Sequence, residues 1–363
     1  MGLEKGKIAS SGLMMLMVGF IFGSSLILTP GRGAEHDAWI AVLLGSAEGL
    51  LLAWLYTILA NRFPGKTLVE VVEMVYGRYL GKIISAAFLG YLLHLGALVL
   101  ANFITYLSSL IMCCKTPKVV FPLLIILVCV SAACKGVEVI TRCSEVLVPP
   151  VFILIVLDTI LLAGNMKLKY LLPVMETPLP RLLFTAYSVA SFPFAETVAF
   201  LMLLAFLNKE QEAFPSAARA IIFSGLVMAV VVARNSAVLG PTEKAFIFPS
   251  FQAIMLIDIA EITRMEALVS FIIVTMGFLK ITTLLYATAL GTAQIFKLKS
   301  YQPIVLPTGI LMVIIGLYSS PSTIEMLQFA EKIYPIYALP FQVGIPLFTL
   351  FLAWLRKLPK EEA

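Results

Sequence analysis

Of 363 residues, 60% are apolar and 13% charged, the net charge is +5, and the mean hydropathy is +1.00. Soluble domains carry roughly 25% charged residues, so this composition excludes a soluble globular protein and describes an integral membrane one. The basic excess falls in short loops between apolar runs and calls for no nucleic-acid partner, and the longest polar interval, residues 61–82, is too short to build a separate soluble core.

The N-terminal segment carries Lys5 and Lys7 and leads into an uncharged run over 11–29 without a small-residue cleavage site. It reads as a first membrane helix rather than a removed signal peptide. A span needs about 20 mostly apolar residues. That rule predicts ten spans, over 11–30, 38–60, 83–112, 117–134, 141–163, 182–207, 214–239, 266–294, 302–319 and 336–355. The larger share of Lys and Arg lies in the segments on the side of the termini, so the positive-inside rule predicts both termini in the cytoplasm.

Three loops carry structure of their own. After the turn Phe63-Pro64-Gly65-Lys66, Thr67 and Glu70 fit a capping box, which predicts a short cytoplasmic helix through Val75. Residues 250–265 predict an amphipathic outer helix with Ile254, Ile257 and Ile262 on its apolar face. A further short outer helix is predicted from Thr323 to Ile333, and Arg142 and Glu145 predict a local ion pair.

The five cysteines, Cys113, Cys114, Cys129, Cys134 and Cys143, are odd in number and lack metal-ligand spacing, so they read as small apolar membrane residues. There is no P-loop, HExxH or GxSxG, and the charges inside spans are scattered over separate helices. Neither an enzyme nor a cofactor site is expected.

The sixth predicted span is interrupted by Ser191-Phe192-Pro193-Phe194-Ala195-Glu196. Proline removes a backbone donor and breaks or kinks a helix, and in hydrocarbon the freed groups survive only inside protein or beside a water-filled cavity. A broken membrane helix with an acid at the break is a binding-site expectation. The first span is disturbed too, at Gly19-Phe20-Ile21-Phe22-Gly23-Ser24-Ser25, with Thr29-Pro30-Gly31 at its end. Five spans separate the two, which predicts two inverted five-helix repeats with a site at the midplane. The alternative for the glycines is tight helix packing alone.

The segment 191–202, with Leu207-Asn208 after it, resembles the sixth helix of spore germination B-subunits, in the amino acid–polyamine–organocation superfamily. The Phe63-Pro64-Gly65-Lys66-Thr67 loop and Leu279-Lys280-Ile281 in the eighth span are similar as well, and the resemblance covers essentially the whole chain. It implies an all-α LeuT-like membrane fold as one domain, an inverted 5+5 repeat with repeat one over about 8–165 and repeat two over about 178–357. It also implies a receptor in the spore inner membrane that binds a small germinant, an amino acid, beside an A-type membrane subunit and a C-type lipoprotein.

Helices 1, 3, 6 and 8 line the pocket in that superfamily. Carried over, this implies Gly23, Ser24 and Ser25 on the first span, Tyr91 and His94 on the third, Phe194, Ala195 and Glu196 on the sixth, and Thr282, Thr283 and Tyr286 on the eighth. Unwound backbone at the first-span break would offer N–H groups to a carboxylate. Freed carbonyls near the sixth-span break, with or without Glu196, would take the ammonium, and Phe192, Phe194 and Tyr286 would wall the side chain. Glu196 has a second reading, as a partner for broken backbone or for a cation.

Lys280 lies inside a span, where an unpaired ammonium costs about 2.5–3.5 kcal/mol on insertion scales. Glu48, Glu196 and first-span carbonyls are its candidate partners. In sodium-coupled relatives the ion sits where Thr282 and Thr283 could fall, and an ammonium there would occupy or repel it. Some sodium-independent relatives place a lysine so, but on the fifth helix. His94 reads either as a satisfied bundle residue or as a proton relay. The fold itself suits a receptor, a proton-coupled amino acid permease, or a channel for water or ions.

Overall fold

The computed structural model describes residues 3–4, 6–110, 117–257, 266–319 and 322–359. Its helices in chain order are α1 (Ser10–Ser25), α2 (Ala38–Arg62), α3 (Leu68–Tyr76), α4 (Arg78–Leu110), α5 (Val120–Cys134), α6 (Val137–Leu161) and α7 (Leu179–Val189). They continue with α8 (Ala213–Leu239), α9 (Pro249–Ile254), α10 (Glu266–Ile295), α11 (Gln302–Tyr318), α12 (Thr323–Gln328), α13 (Tyr334–Leu339) and α14 (Ile345–Leu355). Among the described residues, seven helical runs are long and apolar enough to cross a membrane, and α1, α5 and α11 are shorter apolar helices. Leu51, Trp54, Ile153, Phe348 and other large apolar side chains point outward from these helices, as a lipid solvent allows.

α1 and α10 pack against each other at the centre. α6 and α8 flank α1, α4, α5 and α11 flank α10, and α2 lies on α7 and α8. The close approach of α1 and α10 depends on glycine. A Cβ at Gly19 would meet Leu279 Cδ1 at 2.5 Å, and one at Gly23 would meet Lys280 Cβ at 2.5 Å. α1 runs unbroken through both glycines and stops at Ser25, so the disturbance expected at 19–25 takes the form of an early helix end. Turns and a 3-10 segment, Arg32–Asp37, then lead into α2.

The bundle has two faces. The described residues next to both termini lie on one, where the Ile8 N–H donates to the Phe206 carbonyl at 2.8 Å, the Asn208 N–H to the Ile8 carbonyl at 3.0 Å, and Arg62 Nε to the Leu358 carbonyl at 2.7 Å. α3 lies on this face too, and its Thr67–Glu70 capping box has both reciprocal bonds. On the opposite face Arg32 donates to the Phe246 carbonyl at 2.7 Å, and Asp37 accepts the backbone N–H groups of Met175 and Thr177 at 2.8 and 2.9 Å.

Several local expectations change. Of the amphipathic helix over 250–265, α9 covers the start, and 258–265 lie outside the described residues, as do Cys113 and Cys114. The helix expected at 323–333 does not stand apart from the last span. One helical run continues from Thr323 to Leu355, with π turns at Phe329–Ile333 and Pro340–Gly344 that lie just before the missing donors of Pro335 and Pro346. Arg142 pairs with Glu138 at 2.5 Å, one turn earlier in α6, rather than with Glu145, which accepts from Ser11 Oγ at 2.8 Å. The i,i+4 spacing brings the longer side chains together more directly than i,i+3 does here.

Candidate functional site

α7 ends at Val189, and the chain continues through a π turn over Ala190–Phe194 and a 3-10 segment over Ala195–Met202. Phe192 within it is extended, at φ −128° and ψ 112°. Backbone groups released there must find partners inside the protein. Gln342 and Tyr56 each supply one. Gln342 Nε2 donates to the Ser191 carbonyl at 3.0 Å, and its Oε1 accepts from Ser191 Oγ at 2.9 Å. The Tyr56 hydroxyl lies between the carbonyls of Ala195 and Gln342, at 3.2 and 2.8 Å.

Glu196 has a different task. It and Lys280 are both fully buried and form an ion pair. Lys280 Nζ also donates to Ser24 Oγ at 2.9 Å and lies 5.1 Å and 5.2 Å from the ring centroids of Phe20 and Phe192. Ser24 stands in the last turn of α1, so the partial negative charge of that helix end lies on the same side as the ammonium. The other carboxylate oxygen accepts from Tyr334 at 2.7 Å. Tyr334 and Tyr91 share a hydrogen bond of 3.0 Å, and Gln342 Nε2 donates to Tyr91 at 2.9 Å. One polar chain therefore runs from α10 through the interrupted segment to α4 and the last helical run. Isolated buried charges cost several kcal/mol each, and this arrangement offsets that through pairing and hydrogen bonds on both partners.

A cavity of about 30 Å³ lies against this chain, walled by Ser24, Asn102, Phe192, Glu196, Phe329 and Tyr334 among others. That volume holds about a water molecule. A larger vestibule of about 230 Å³, lined by Thr29, Arg32, Arg181 and Lys332, lies on the face opposite the termini. Leu28, Phe192 and Ala330 line both spaces and separate them.

Of the residues expected at the site, Gly23, Ser24, Tyr91, Glu196 and Lys280 come together. Ser25 Oγ bonds back to the Ile21 carbonyl at 2.6 Å. Phe194 faces α2, against Gly49, and Ala195 takes part through its carbonyl alone. His94 sits to one side, 3.0 Å from the Tyr337 hydroxyl and edge-on to Phe329. Glu48 is half-buried on α2, near Tyr187, and makes no ion pair among the described residues. Lys280 instead pairs with Glu196.

On α10, Thr282 faces Cys129, Thr283 bonds its own helix at the Leu279 carbonyl, and Tyr286 donates to Glu4 at 3.1 Å on the terminal face. Helical geometry explains the scatter. At about 100° per residue, Thr282 and Tyr286 lie roughly 200° and 240° around the helix from Lys280. Tyr301 joins Glu4 at 3.3 Å, and burial, then the Glu4 carboxylate, push its hydroxyl well above the ordinary tyrosine range, which keeps it a donor. Freed N–H groups expected at the end of the first span are replaced by the carbonyl end of α1, which favours a cation.

Tyr56, Ser191, Tyr334 and Gln342 complete the site and were not among the expected pocket residues. Gln342 carries a readable signal: it is a strongly polar side chain within an apolar membrane run, the same feature that points to Glu196. Gln342→Leu should strip partners from Ser191 at about 1–3 kcal/mol for each buried group left unpaired. A melting curve equal to wild type would contradict the bracing role.

This geometry is that of a transporter-type membrane bundle with an interrupted helix at a buried polar centre. Solved structures agree on the fold. MhsT in complex with L-phenylalanine superposes with a TM-score of 0.69 over 97% of this chain and 96% of its own, at 14% identity. Mhp1, a nucleobase-cation-symport-1 family transporter in a closed conformation with bromovinylhydantoin bound, superposes at 0.64 over 93% and 80%, at 12% identity.

The family model for spore germination proteins matches residues 7–324. Spore germination protein KB of Bacillus subtilis is 31% identical over 99% of this chain and 98% of its own. The putative spore germination protein YfkT of the same organism is 25% identical over 91% and 93%. The chain belongs to the spore germination protein family, as a multi-pass, non-enzymatic membrane protein of receptor- or permease-like type.

Proposed function

We propose that this chain is the permease-like subunit of a nutrient germinant receptor, binding a small amino acid at the centre bounded by Ser24, Glu196 and Tyr334. The polar chain from Lys280 to Gln342 carries this reading, because it ties the interrupted helix to α1, α4, α10 and the last helical run. A ligand that perturbs one link moves several helices, which is what a signalling subunit needs. The ligand's ammonium faces Glu196 and the carbonyl end of α1. Phe192 yields to admit it from the vestibule, since a cavity of about 30 Å³ is too small for an amino acid.

In this reading all ten apolar helices cross the spore inner membrane with both termini in the cytoplasm. They form inverted repeats of five, over about 8–165 and 178–357. An A-type membrane subunit and a C-type lipoprotein complete the receptor. The Lys280 ammonium stands in for a coupling cation beside α1.

The twenty amino acids, tested one at a time for thermal stabilisation of the purified protein, check the ligand class. At least one should raise the melting temperature, and none should be taken up saturably by proteoliposomes holding the chain alone. The transporter-fold neighbours favour one alternative, a proton-coupled permease, and saturable uptake would establish it in place of the receptor.

A further inference from the structure

The walls of the central cavity are unequal in what they have left to offer. Ser24 is taken by Lys280, Glu196 by Lys280 and Tyr334, and Tyr334 by Glu196 and Tyr91. Leu95, Leu98 and Phe329 are apolar. Asn102 differs from all of these. It lines the cavity, is 6% exposed as a residue, has its amide atoms open to the cavity rather than sealed in protein, and makes no side-chain hydrogen bond to another described residue. An amide that opens on a cavity without a protein partner bonds whatever occupies that cavity.

Its placement is not accidental to the helix. Tyr91, Leu95, Leu98 and Asn102 follow the i, i+4, i+7, i+11 spacing that forms one stripe of α4. Tyr91 holds the polar chain at one end of that stripe. Asn102 lies about three turns further along, toward the face opposite the termini.

We infer that Asn102 is the ligand-reading residue of this cavity, its side-chain amide donating to the carboxylate of an amino acid whose ammonium faces Glu196. The inference rests on the amino-acid reading above and deepens it. The charges explain the division of labour. Glu196 and the carbonyl end of α1 attract a cation and offer nothing to an anion. Lys280 is already held by Glu196 and Ser24. The amide of Asn102, with two N–H groups, is the fuller donor left at the cavity wall beside the single O–H of Ser24, whose oxygen already accepts from Lys280, and it is neutral, so it adds no buried charge. Without ligand, water fills its place, in a cavity of about the right volume. A site built around such a group rejects analogues that leave it unpaired.

The test uses the purified full chain and the amino acid that most stabilises it, together with that compound's α-amide and its decarboxylated amine. Wild type should bind the amino acid and its amide within about tenfold of each other, because both present an acceptor oxygen, and should bind the amine about 10- to 100-fold more weakly. Asn102→Leu should lose about 10- to 100-fold for the amino acid and no longer distinguish it from the amine. Its ligand-free melting temperature should stay close to wild type, because the amide it removes bonds cavity water and no protein group. Asn102→Asp should reject the amino acid and bind the amine more tightly than wild type.

Affinity for the amino acid unchanged in Asn102→Leu overturns the assignment while leaving the pocket intact. So does a fall in melting temperature in both variants without a change in ligand preference, which would make Asn102 structural. If none of the twenty amino acids stabilises wild type, the amino-acid reading fails and this inference fails with it.

Discussion

Lys280→Met is expected to cost about 3–5 kcal/mol of stability, because it leaves the Glu196 carboxyl buried without its cation and with Tyr334 as its remaining side-chain donor. Glu196→Leu should cost a similar amount from the other side, stranding an ammonium between Phe20, Phe192 and Ser24. The double variant Lys280→Met/Glu196→Leu should recover most of the loss, since replacing a whole buried pair by apolar side chains of similar size is often close to neutral. It should not recover ligand response, because Glu196 is the proposed acceptor for the ammonium. Thermal melting of the four proteins in one detergent supplies the cycle. Losses that add would show that the two charges act independently and would remove the centre of the site.

Gly23→Ala is expected to be the most damaging single methyl in α1. The added Cβ would lie 2.5 Å from Lys280 Cβ, 2.8 Å from Lys280 Cδ and 3.1 Å from the Met276 carbonyl oxygen. The carbonyl belongs to α10 and cannot move alone, so α1 and α10 must separate or Lys280 must leave its rotamer. Overpacking of this kind costs about 1–3 kcal/mol. Here it also draws Nζ away from Glu196 and Ser24, so ligand-induced stabilisation should disappear as well. Gly19→Ala is the control. Its Cβ would meet Leu279 Cδ1 at 2.5 Å, the far end of a flexible side chain that can turn away. It should melt nearer to wild type and keep its ligand response. Equal behaviour of the two variants would reduce Gly23 to a packing residue.

The glycines show how far sequence reasoning carries. Gly19 and Gly23 can be read as a helix break or as a tight crossing, and the same letters fit both. α1 stays helical through them, and the crossing is with α10, more than 250 positions away in the chain. The Pro193–Glu196 stretch was more readable, because a proline and a carboxylate in an apolar run are anomalies of local chemistry. Lys280 was visible for the same reason. Its partner was not, because Glu48 and Glu196 are equally acidic on paper and only Glu196 is carried to it by the fold.

Thr282 and Tyr286 mark an avoidable loss. They share one side of α10 with each other, but their spacing from Lys280 places them roughly opposite to it, away from the centre that Lys280 and Glu196 build. Tyr334 and Gln342 mark an unavoidable one. Their position depends on π turns placed before Pro335 and Pro346 in one continuous run, and such turns shift every later side chain around the helix axis.

By itself the sequence determined the solvent, the helical class and the place where backbone regularity fails. Those follow from hydropathy, span length and proline, which are local or additive properties of the chain. Only the tertiary structure decided which charges meet, which side of each helix faces the cavity, and that Asn102 stands there unpaired. These depend on contacts between helices far apart in sequence, and a rotation of a helix by one residue, about 100°, is enough to exchange a ligand-facing group for a lipid-facing one.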